Sequence, residues 1–96
     1  MWREHQDAPY PDGYGGVELA GVELVMLGAN IAGCVSTYLH NGGRLDLQRA
    51  AILGRCYRDV SLVVRELSGT PRAYFAQLER MAGQVLEALS VGGPAV

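Results

Sequence analysis

Apolar residues recur at helical spacing in three stretches of the chain, separated by glycine and proline. From Val17 to about His40, Ala20, Leu24, Leu27, Ile31, Cys34, Val35, Tyr38 and Leu39 return at about 100° per residue, which predicts one long helix with a broad core face. Asn41, Gly42 and Gly43 predict its end, because these residue types accept the left-handed backbone that follows a helix. Asp46 offers an N-cap for a second helix over 46–67, with Gly69 as its terminal glycine. Thr70 and Pro71 start a third over 71–90, since threonine caps and a proline in the first turn forfeits no needed hydrogen bond; Gly92, Gly93 and Pro94 close it. Short connections make sequential helices antiparallel neighbours. The expected fold is all-α: an antiparallel three-helix unit over 17–91 that pairs into a dimeric helical bundle. Residues 1–16, with Pro9, Pro11, Gly13, Gly15 and Gly16, are expected as a flexible tail, and 92–96 as a short C-terminal one.

The outward faces differ more than the inward ones. The second helix turns Leu53, Cys56, Tyr57, Val60, Val63, Val64 and Leu67 inward and Arg55, Arg58, Arg65 and Glu66 outward. The third repeats that division, with Tyr74, Phe75, Leu78, Ala82, Val85, Leu86 and Leu89 against Arg72, Gln77, Glu79, Arg80, Gln84 and Glu87. Opposite the core face of the first helix, a second stripe of Leu19, Val22, Met26, Ala29 and Gly33 runs among Glu18, Glu23, Asn30, Thr37 and His40. Its spacing of three, four, three and four is that of a helix–helix seam, and it is expected to mediate self-association. The competing readings are cover by the N-terminal tail and ordinary exposed apolar surface. A membrane span over Leu19–Leu39 has the right length, but Glu23 and Asn30 fall inside it and basic flanks are missing.

Composition narrows the functional classes. In 96 residues, 49% apolar and 19% charged, there is room for one thinly stabilised domain that gains from subunit contacts. A net charge of −2 argues against general nucleic-acid affinity. All eight basic residues are arginine, as the codon usage of a GC-rich bacterial genome would give. Seven of them lie from Arg44 to Arg80, and Arg55, Arg58 and Arg65, with Arg72 beyond, form a candidate partner-binding face; a solvated face paired with Asp59 and Glu66 is the plain alternative. The N-terminal residues show no basic stretch leading into an apolar one, so no secretory signal is read and the cytoplasm is expected. Cys34 and Cys56, without CxxC spacing and offset by one helical turn in an antiparallel hairpin, are expected as free buried thiols.

No catalytic constellation is visible, and neither a cofactor nor a metal is expected: His5 and His40 are the two histidines, with no HExxH or ExxH spacing. The sequence points first to a non-enzymatic, dimeric helical protein–protein interaction module of adaptor, regulator or inhibitor type. The alternative is a small-molecule-binding protein or small enzyme with a pocket between helices or subunits, lined by Asn30, Tyr38, Tyr57 and Tyr74. A third reading, a DNA-binding regulator, rests on LSGTPRAYFAQLERM as a helix-turn-helix with Arg72, Gln77 and Arg80 outward, and the acidic net charge weighs against it.

Overall fold

The computed structural model of the chain describes residues 2–11 and 13–91; the expected C-terminal tail and its closing Gly-Gly-Pro lie outside the described residues. Four helices pack together beside one small hairpin: α1 (Trp2–Asp7), β1 (Glu18–Leu19), β2 (Val22–Glu23), α2 (Leu24–His40), α3 (Leu47–Arg65) and α4 (Gly69–Val91). The three long helices follow the expected order, and the two departures both lie N-terminal to Leu24.

The first departure is the start of the first long helix, which was expected at Val17 and lies at Leu24. Ala20 and Gly21 both take positive φ, +53° and +77°, and reverse the chain in a two-residue turn. Positive φ at both central positions matches the right-handed twist of a hairpin, so Glu18 pairs with Glu23 and Leu19 with Val22. Ala20 pays for this turn with a left-handed backbone that costs a non-glycine residue about 1–2 kcal/mol. The pairing continues through the Leu24 amide, which donates to the Val17 carbonyl at 3.1 Å. It leaves the Glu23 carboxylate to accept from the Val25 N–H, capping α2. Leu24 is fully buried, and Leu19 and Val22 are half-buried against the core.

The second departure is in the segment expected as a flexible tail. Trp2–Asp7 forms a helix that packs on α4, and Tyr10 and Tyr14 reach the core as well. Six residues cannot hold a helix alone in water, so α1 owes its form to docking.

At the other end of α2, Asn41 donates to the Thr37 carbonyl at 3.0 Å and Gly43 to the Tyr38 carbonyl at 2.8 Å, with Gly42 at φ +65°. This is a Schellman termination at the residues the sequence marks. Asp46 caps α3 by accepting from the Arg49 N–H at 2.7 Å. Gly69, at φ +64°, turns the chain into α4, where Pro71 occupies the first turn.

Leu24, Ile31, Leu53, Val60, Val63, Phe75 and Leu78 are the largest fully buried side chains. α2 and α4 approach closely at Gly28, whose absent side chain would stand 3.7 Å from Leu78 Cδ1. Of the residues expected inward, Leu39 is 49% exposed, at the last turn of α2, and Ala20 lies exposed in the hairpin turn. Tyr57 is displaced to the margin of the α3–α4 interface, where its ring lies over Gly83. Met81, absent from the expected core, is buried, and it lines a cleft with Trp2 of α1 and Val35, Tyr38 and Leu39 of α2.

Candidate functional site

α2 is built differently from its neighbours. Its 17 residues contain no Asp, Glu, Lys or Arg. Leu24, Leu27, Gly28, Ile31, Cys34 and Val35 face the core, whereas Val25, Met26, Ala29, Asn30 and Gly33 are exposed. Met26 is 57% exposed, a high value for an unbranched apolar side chain that any nearby surface would attract. The expected seam is therefore divided. Leu19 and Val22 belong to the hairpin and turn partly into the core, while Met26, Ala29 and Gly33 remain as an outward helical stripe.

Beside that stripe α2 and α3 enclose an open groove of about 310 Å³, lined by Ala29, Asn30, Gly33, Cys34, Thr37, Arg49 and Ile52. Gly33 lines it with open space where a Cβ would stand. Arg49 is held on one rim by Asp46 at 2.6 Å. The Arg49 amide and guanidinium bind the Asp46 carboxylate and hold its pKa below the ordinary 3.8. Cys34 sits under the groove with its Sγ 3.7 Å from the Arg49 carbonyl. Burial raises both the Cys34 and Cys56 thiols, so both stay protonated and weakly nucleophilic. Neither is in a disulfide.

Arg55, Arg58, Arg65 and Arg72 are all exposed. None of them pairs with Asp59 or Glu66; among the described residues the ion pair shown is Arg49–Asp46. Leu62, 46% exposed, lies in the same outer stripe of α3 between Arg58 and Arg65.

The four residues considered for a pocket do not meet within one chain. Asn30 lines the α2–α3 groove, and Tyr57 covers Gly83. Tyr74 belongs to an aromatic cluster with His5, Tyr10 and Phe75, at centroid distances of 5.2, 5.5 and 5.1 Å. Tyr38 lines a separate apolar cleft of about 230 Å³ with Trp2, Val35, Leu39, Met81, Gln84 and Val85. The aromatic cluster was not foreseen, because its partners come from a segment read as a tail. Within it His5 is buried, stacks on Trp2 at 5.8 Å, and leaves Nδ1 without a hydrogen-bond partner. Burial lowers its pKa below the ordinary 6.5 and raises those of Tyr74 and Tyr10, the latter helped by the nearby charge of Glu23.

His40 is exposed at the end of α2, its Nδ1 2.8 Å from the Ser36 carbonyl, where a ring N–H near the helix C-terminus is favoured. Among the described residues no three His, Cys, Asp or Glu side chains are grouped to hold a metal, and no helix is long and apolar enough to cross a membrane. No family model matches the chain, and neither a curated protein nor a solved structure is similar to it.

Proposed function

We propose that the protein is a non-enzymatic, homodimeric protein–protein interaction module of adaptor, regulator or inhibitor type. The subunits pair through α2, and the arginine face of α3 is presented to a protein partner. One observation carries this reading: a helix with no formally charged residue leaves Val25, Met26, Ala29 and Gly33 exposed. A surface helix facing only water is polar on its outer side, and a contiguous apolar patch marks a site of association. The other long helices of the same chain do carry charge outward, so the omission on α2 is local. Two free buried thiols fit a reducing compartment such as the cytoplasm.

Sedimentation velocity of the full chain tests the pairing. A dimer is expected at micromolar concentration, and Ala29→Trp should shift it toward monomer. A native chain that stays monomeric to tens of micromolar sinks the reading.

The cleft under Trp2 supports a second reading, a small-molecule binder. Its volume of about 230 Å³ is below the usual ligand-pocket range of about 300–1,000 Å³, which restricts the ligand to a small apolar molecule. Titration with indole, followed by NMR of the Met81 methyl, should then move that signal saturably. An unmoved signal at millimolar indole removes this alternative.

A further inference from the structure

The outward face of α2 is complementary to itself in one direction only. Its bulk lies at the N-terminal end, where Met26 projects 57% exposed beside Val25. Its vacancy lies about two turns later, where Gly33 has open space and Ala29, Asn30 and Thr37 wall the groove against α3. Two copies running parallel would set Met26 against Met26 and Gly33 against Gly33, a collision at one end and a void at the other. Resting on the dimer reading above, we propose that two copies pair their α2 helices antiparallel about a two-fold axis between Ala29 and Asn30. Met26 of each copy then seats in the Gly33 notch of the other.

Three features of the chain favour a second copy in this register. An isologous contact requires one surface to carry both the projection and its receptor, and this face carries both within 8 residues. The face also strands no charge against its own image: α2 carries none, and Arg49 on the rim of the groove is already held by Asp46. Against the outer surface of α3 or α4 it would bury Arg58, Arg65 or Arg80 without a counter-charge, which is costly. Finally, the axis passes beside Asn30, the strongest polar group on the stripe. Two Asn30 amides brought together there satisfy one another, and a buried asparagine pair of this kind fixes register between paired helices.

Thiol cross-linking tests the register independently of the dimer. Met26→Cys, Gly33→Cys and Ala29→Cys are made in the full chain, with the native chain as control because Cys34 and Cys56 are buried. Under mild oxidation Ala29→Cys should link to itself near the axis. Met26→Cys mixed with Gly33→Cys should give a disulfide heterodimer, while Met26→Cys alone gives none, since its two copies then stand about 10 Å apart along the helices. Efficient self-linking of Met26→Cys, with no mixed product, overturns the antiparallel register while the dimer stands. A native chain that sediments as a monomer overturns the dimer, and the register with it.

Discussion

α2 and α3 are neighbours of nearly equal length, 17 and 19 residues, and both bury one side completely. Ile31 and Leu53 are equally inaccessible. Seen from the core the two helices are interchangeable in kind; seen from solvent they have little in common. α3 surrounds Leu62 with Arg58 and Arg65, so its outer face stays hydrated. α2 offers methyl groups, a thioether, an amide and a bare glycine. α4 shows a third solution, since α1 packs against it, with His5 on Tyr74 and Trp2 beside Met81 and Val85. The core face of a helix records how the chain folds, and the outer face records what else it meets.

Four measurements sharpen or break this comparison. The largest effects should be equal on the two inner faces: Ile31→Ala and Leu53→Ala are each expected to cost about 2–5 kcal/mol in urea denaturation. A much smaller loss for Ile31 would show that α2 is loosely docked, and the comparison would fail at its base. Next come the outer faces, where the helices should part. Met26→Glu is expected to raise the dissociation constant of the proposed dimer by about 100-fold, because it buries an unpaired charge. Arg58→Glu should leave it within about threefold, as a surface charge outside the contact. Equal sensitivity of the two would deny α2 its special role.

The third measurement concerns the cover over α4. His5 titrates below 6.5 when docked, so the undocked chain takes up a proton first. Docking is therefore strongest above pH 6.5 and weakens as pH falls through the lower docked value, by at most about tenfold per pH unit for one proton. Amide exchange in α1, corrected for intrinsic rates, should rise relative to that in α3 between pH 7.5 and 5. His5→Phe should abolish the rise, and an unchanged ratio in the native chain would exclude the linkage. The smallest effects are at two glycines with open space, Gly33 in α2 and Gly54 in α3. Alanine at either should stabilise the monomer by up to about 1 kcal/mol. Only Gly33→Ala should also weaken association, by filling the notch in which the proposed pairing seats Met26.

What the sequence discloses follows the same division. α3 is legible because its signals agree: Asp46 caps it, apolar residues keep to one side, and Gly69 ends the turn after it. The start of α2 is not, because Val-Glu-Leu occurs twice, at 17–19 and 22–24, and the joined segment satisfies helical spacing. The turn that separates the copies is Ala-Gly rather than Asn-Gly, so the strongest hairpin signal is missing. Burial of Leu24 and the left-handed Ala20 decide the matter, and neither is a local property. α1 was hidden for a related reason, since its stability comes from the distant Tyr74 and its neighbours on α4. Of the candidate site, Met26, Ala29 and Gly33 were readable as a stripe. The proposed grouping of Asn30, Tyr38, Tyr57 and Tyr74 was not supported within the chain, because helical spacing gives the side of a helix but not which neighbour that side meets.

Trp2 has a consequence of an optical kind. It is the sole tryptophan, and it both stacks on His5 and lines the cleft with Tyr38 and Met81. Its emission accordingly reports the seating of α1 on the core. Release into water should move the spectrum to the red, and a small apolar molecule entering the cleft should move it to the blue. A single native chromophore thus separates, by the sign of its shift, an opening of the N-terminal cover from the filling of the space beneath it.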